Sequence, residues 1–200
     1  MGSIVIVIRR AIGRVFADFL DLPVSYKLAF SCIFALLTGV SAQIRIPLPF
    51  SPVPVTGQVL VVLLAGGLLG RWGALSQAFY IAGAASGISW CSGGMALSVS
   101  PTLGYIAGFL PAAFLVGLAR ERCHLFERVS GKVLVMLAAV LIIHACGVLW
   151  LSALLHIPVI RGLELGSLPF VPFDVVKVYG AAYLAHFFLS GHKTSDSREN

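Results

Sequence analysis

The sequence predicts an all-α membrane protein: a bundle of six transmembrane helices with the N- and C-termini both cytoplasmic. Three observations predict it. Hydrophobic residues make up 58% of the chain and charged residues 11%, with a mean hydropathy of +0.97, whereas a soluble domain carries about 25% charge. Apolar segments recur at lengths near the ~20 residues that a helix needs to cross a bilayer. Basic residues flank these segments instead of clustering on one polar face. That distribution fits membrane topology and argues against nucleic acid as a partner, despite the net charge of +6. The 200 residues suffice for one bundle and no separate soluble domain.

Residues 1–24 open with Ile-Val-Ile-Val-Ile before Arg9 and Arg10. That run is too short to span, and it reads as a basic amphipathic segment lying on the inner membrane surface. No clear cleavage site follows, so a cleaved signal peptide is not expected. Spanning helices are predicted over 26–42, 54–70, 72–88, 102–119, 133–155 and 172–190. The second is short, so tilt or local thinning of the bilayer is expected. Gly66, Gly67 and Gly70, followed by Arg71-Trp72-Gly73, mark a tight inner turn. Residues 89–100 read as a Gly/Ser-rich outer loop, 120–132 as the longest charged loop and 156–171 as the last outer loop. The spanning domain is thus 25–190, with 191–200 a polar, disordered tail.

Charge placement supports this count. Of the 14 Lys and Arg residues, only Arg45, Arg161 and Lys177 then fall outside, in line with the excess of positive charge on cytoplasmic loops. The stretch Gln43–Gln58 also falls outside. Its prolines at 47, 49, 52 and 54 exclude a helix interior and push their neighbours to extended geometry. It is apolar apart from Arg45, so it reads either as a connector against the membrane or as a lid over a ligand. The four cysteines show no metal-ligand spacing, and there is no GxxxxGK[ST] phosphate loop and no HExxH zinc motif. The chain therefore does not use ATP by that route, and no metal or cofactor is expected.

Asp174 and Lys177 stand out. Pro172 suits a first helical position, which puts Asp174 in the first turn, where the helix dipole favours a carboxylate. Lys177 has no such support, because a charge inside the bilayer costs ~2.5–3.5 kcal/mol. Spacing of i,i+3 puts both on one helix face. They either pair with each other or face a cavity and hold a polar ligand. His144 falls in the middle of the fifth predicted helix, as a functional group or as an interhelical hydrogen-bond partner. Gln77, nearer the inner side, suits a bond between helices.

Four blocks in order resemble the BioY family. They are Ala42-Gln-Ile-Arg-Ile-Pro-Leu-Pro-Phe-Ser-Pro-Val-Pro-Val-Thr-Gly-Gln58, Gly70-Arg-Trp-Gly-Ala-Leu-Ser-Gln77, Pro101-Thr-Leu-Gly-Tyr105 through Phe109, and Pro169-Phe-Val-Pro-Phe-Asp174-Val-Val-Lys177. The resemblance runs over about residues 28–189. It implies a six-helix biotin-binding S component of an energy-coupling factor (ECF) transporter in the bacterial cytoplasmic membrane. It also implies two ATPase subunits and a transmembrane coupling protein as partners, membrane lipid around the bundle, and biotin as cargo. Asp174 and Lys177 match the family's acidic and basic pocket residues, and 43–56 matches its lid. The chain departs from the pattern at Trp90-Cys-Ser-Gly-Gly-Met95, and Leu103 and Phe173 stand where Gly is expected.

The chemistry of biotin fits these residue types. Its ureido ring offers two N–H donors and one acceptor, its thiophane ring is apolar and its tail ends in a carboxylate. Asp174 and Lys177 supply an acceptor and a cation, and Tyr105 and Trp90 supply aromatic walls, although aromatics also anchor at membrane interfaces. Gln43 either contacts ligand or caps the first helix. On that helix Ser31 and Ala35 place small residues at i,i+4. Such stripes let helices approach closely, within the bundle or, as the resemblance implies, against the coupling protein. Two other classes remain: a self-sufficient secondary transporter, proton-coupled through Asp174 or His144, and a membrane-embedded enzyme. No inverted repeat and no nucleophile–base pair supports either.

Overall fold

The apolar segments become helices in a computed structural model that describes residues 12–88 and 100–190. After a helical stretch at residues 12–17, seven α-helices follow in order among the described residues: α1 (Val24–Ser41), α2 (Gln58–Leu69), α3 (Trp72–Ala85), α4 (Leu103–Arg122), α5 (Val129–Leu155), α6 (Val159–Gly166) and α7 (Val171–Leu189). Between α1 and α2, β1 (Arg45–Ile46) pairs antiparallel with β2 (Val55–Thr56), Arg45 opposite Thr56 and Ile46 opposite Val55. The described residues are all-α apart from this hairpin. Among the described residues, three helices, α1, α4 and α5, are long and apolar enough to cross a membrane. Their outward faces are apolar too, as at Leu36, Val40, Leu134 and Leu141. Lipid accepts such residues as readily as a protein core does.

The structure corrects several boundaries. Helix α2 starts at Gln58, not 54, because the hairpin keeps Val55 and Thr56 extended. With 12 residues it is about 18 Å long, short of the ~30 Å hydrocarbon core. It is mostly buried and contacts α1, α3, α4 and α7, so neighbouring helices cover it and its length need not match the bilayer. The expected charged loop over 120–132 is nearly absent. Helix α4 runs to Arg122, a 3₁₀ turn spans His124–Glu127 and α5 begins at Val129. Lys132 lies inside, with its ammonium on the carbonyls of Phe126 and Glu127. The predicted loop 156–171 contains α6 and a 3₁₀ turn, Leu168–Phe170. His156, in the left-handed region with φ of 53°, ends α5, and Pro158 precedes α6.

The core runs along the axis through Leu63, Ile106, Met136, Ile143 and Val178, with small contacts at Ala112, Ala139, Ala181 and Ala185. At one end, residues 12–17 are helical and a turn follows at Phe19–Asp21. This segment does not simply lie on a surface. Phe16 and Phe19 are buried, each with its ring 5.7 Å from that of Phe30. The Arg120 guanidinium donates to the carbonyls of Phe16 and Leu68, tying the segment to the end of α2. Arg120→Met keeps the stem and removes both donations. It should lower stability by roughly 1–3 kcal/mol, the cost of leaving buried acceptors unpaired. Thermal unfolding in detergent checks this, and an unchanged midpoint would show that solvent replaces the guanidinium.

The small stripe of α1 faces inward. Ser31 is fully buried and Ala35 is 2% exposed. The Ser31 hydroxyl sits 2.9 Å from the Lys27 carbonyl and 3.2 Å from that of Trp72, where α3 begins. Ser31 therefore packs α1 against α3, and Ala35 is buried on the same face within the isolated chain. Ile33, Leu36, Leu37 and Val40 face away from the bundle. Gln77 on α3 bonds to Thr38 on α1 at 3.4 Å and to Ser76 at 2.9 Å, the interhelical role expected of it.

Candidate ligand-binding site

A cavity lies where the hairpin meets α2, α4, α5 and α7. As it stands the cavity is narrow, about 40 Å³, below the roughly 300–1,000 Å³ of small-molecule sites, so a ligand enters only if its walls move apart. Its lining combines Val53, Pro54 and Thr56 from the hairpin region with Gln58 and Val59 of α2. Thr102, Tyr105, Ile106 and Phe109 come from α4 and the residue before it, Ile143 and His144 from α5, and Phe170, Asp174 and Lys177 from the start of α7. Most of the wall is apolar, with a few polar groups converging on it.

The α7 groups follow from local sequence. The turn Leu168–Phe170 feeds Pro172 into the first turn of α7, where a missing N–H costs nothing. Asp174 then falls in that turn, 4% exposed. Lys177 Nζ donates to its Oδ1 at 2.9 Å, and His144 Nε2 lies 2.8 Å from its Oδ2. Asp174 and Lys177 therefore pair with each other, and both line the cavity. Each carboxylate oxygen has a partner, which compensates for the burial of charge. His144 makes an interhelical bond and also belongs to the cavity wall.

Tyr105 is held as a wall. Its hydroxyl donates to the Gly166 carbonyl at 2.6 Å, and its ring stands edge-on to His144, with centroids 6.1 Å apart. Gly147 on α5 makes room for that ring, since a Cβ there would overlap it. Gly147→Ala should push Tyr105 out of place, with a loss of stability of about 1–3 kcal/mol typical of overpacking and a parallel loss of ligand affinity. Thermal unfolding beside a binding titration checks both. A variant with wild-type values in each would mean that Tyr105 relaxes without cost.

Gln43 does not join this group. It is exposed at the end of α1 and does not line the cavity. Trp90 and the loop 89–99 lie outside the described residues. Sequence reasoning missed Gln58, which closes the Pro-rich block. Its amide donates to the buried Tyr80 hydroxyl at 2.8 Å and its oxygen accepts from Thr56 at 3.2 Å. A second groove, lined by Ile44, Ile46, Val55, Pro172, Phe173 and Val176, lies between hairpin and α7, and Thr56 and Lys177 line both spaces.

Residues 17–193 match the BioY family, which is most of the chain. The chain belongs to the BioY family. The biotin transporter BioY of Thermotoga maritima is 38% identical over 159 residues, 76% of this chain and 89% of that protein. The biotin transporter BioY of Rhizobium etli is 30% identical over 174 residues, 82% and 92% of the two chains. The fold is similar to the crystal structure of the S-component for biotin from an ECF-type ABC transporter, with a TM-score of 0.75, 26% identity, and coverage of 81% of this chain and 89% of that one. These BioY relatives bear the name of transporters, not of enzymes. Family and apolar helices together make the chain a multi-pass membrane protein.

Proposed function

We propose that the chain binds biotin in this cavity and is the substrate-capturing S component of an ECF-type transporter in the bacterial cytoplasmic membrane. The observation that carries this is a buried acid–base pair, Asp174 and Lys177, on a mostly apolar cavity wall in a chain of the BioY family. A carboxylate suits ureido N–H groups, an ammonium suits a carbonyl or the tail carboxylate, and the apolar wall suits the thiophane ring. In this reading α1–α5 and α7 span the bilayer and α6 lies at its outer face. Both termini are then cytoplasmic and the hairpin is external, forming a lid over the site. The chain brings capture, not energy. A coupling protein and two ATPase subunits supply the rest, and the chain itself is not an enzyme.

Titration of purified protein with biotin should show saturable binding near one ligand per chain. Uptake of labelled biotin should require co-expression of an energising module. Absence of binding would overturn the reading of the cavity. Equal uptake in a host lacking every such module would favour a self-sufficient secondary transporter.

A further inference from the structure

We propose that His144 is a specificity-determining ligand contact whose Nδ1 accepts a hydrogen bond from a ureido N–H of biotin. This deepens the biotin reading of the cavity and rests on it. His144 lines the cavity and is 9% exposed. Its two ring nitrogens have different fates. Nε2 faces Asp174 Oδ2 at 2.8 Å. The carboxylate only accepts, so Nε2 carries the hydrogen of that bond. In the neutral imidazole Nδ1 then holds a lone pair and no hydrogen. Nδ1 is buried and has no hydrogen-bond partner among the described residues. Buried polar atoms are nearly always paired, so an exception of this kind calls for a reason.

Among the described residues, the neighbours of His144 do not supply a donor. The Tyr105 hydroxyl gives its hydrogen to Gly166. The Lys177 ammonium is engaged by Asp174 Oδ1. Phe170, with its ring centroid 6.3 Å away, has no polar group. A second proton on the ring would set two buried cations, His144 and Lys177, against one carboxylate. The neutral ring leaves Asp174 and Lys177 balanced, which a low-dielectric site favours. What suits the atom is therefore a neutral N–H donor brought by the ligand. The ureido ring carries two, and a site built to bond an N–H rejects an analogue lacking it, because its own acceptor is then left unpaired.

The test compares biotin with two carbamate analogues, in each of which a different ureido N–H is replaced by a ring oxygen. This change removes a donor with little change of shape. Wild-type protein should bind one of the two at least about tenfold more weakly than biotin. His144→Gln keeps an amide N–H able to reach Asp174 and removes the acceptor at Nδ1. It should lose about tenfold in affinity for biotin while binding the discriminated analogue as wild type does. Wild-type protein that binds both analogues as tightly as biotin overturns the contact, and this arm needs no variant to fold. So does His144→Gln with unchanged biotin affinity, or with an equal loss for all three ligands, which would make His144 a support for Asp174 alone. Wild-type protein that does not bind biotin at all overturns the underlying reading of the cavity, and the contact with it.

Discussion

Asp174→Asn should weaken biotin binding by roughly tenfold or more, about 1.4 kcal/mol at least. Asp174 is 4% exposed and holds Lys177 at 2.9 Å and His144 at 2.8 Å. Asparagine preserves the shape and removes the charge. The Lys177 ammonium then stays buried without its counter-ion, and breaking a buried pair from one side costs about 3–5 kcal/mol. Part of that cost falls on folding and part on the site, so thermal unfolding must be read beside calorimetric titration. Lys177→Met is the companion. It keeps the apolar stem but leaves the buried Asp174 carboxylate with only its bond to His144, so it too should unfold earlier than wild type and lose biotin affinity. Unchanged affinity in both variants would place the ligand elsewhere.

Ala35→Trp should abolish biotin binding and assembly with the coupling protein together. Ala35 is 2% exposed, on the α1 face that carries Ser31 against Trp72. An indole has no room there, and overpacking of even a few methylenes costs typically 1–3 kcal/mol. Leu36→Trp, one residue on and 56% exposed, is the control and should leave binding intact. Copurification with the energising module, run beside a titration, separates the cases. An Ala35→Trp protein that binds biotin normally and fails only to assemble would instead mark the small stripe as a docking surface.

Ala35 also shows where the sequence stops being informative. The spacing of Ser31 and Ala35 marks a line of close approach, but in a bilayer the surroundings of a helix are apolar on every side. Hydrophobicity therefore cannot tell an inward stripe from an outward one, and only the partner helix decides. Arg120 and Lys132 misled for a related reason. Charges between apolar segments read as a solvated loop, yet each of these reaches backbone carbonyls, and the helices close up around them. Proline in the Gln43–Gln58 stretch correctly excluded helix. The later start of α2 depends on Arg45 pairing with Thr56, a contact across the loop that local preference does not encode. The eight residues of α6 were hidden inside a predicted loop, although Pro158 marks its start.

The site was legible where its parts are close in sequence. Asp174 and Lys177 share one turn, so their pairing follows from i,i+3 geometry, and Pro172 fixes where that turn begins. His144 lies 30 residues from Asp174 on another helix. Its depth in the membrane marked it as unusual, but its partner required the fold. Gln43 and Gln58 bracket the same apolar stretch and look alike as letters. The hairpin turns one outward and sets the other in the wall.

The most direct test is a structure determined with saturating biotin. The ligand is expected between the hairpin, α4, α5 and α7, beside Tyr105, with a polar group within hydrogen-bond reach of Asp174 or Lys177 and a ureido N–H at His144 Nδ1. Biotin seated instead in the apolar groove between Ile46 and Val176, or at the far end of the bundle near Arg120, would contradict the assignment of this cavity as the binding site.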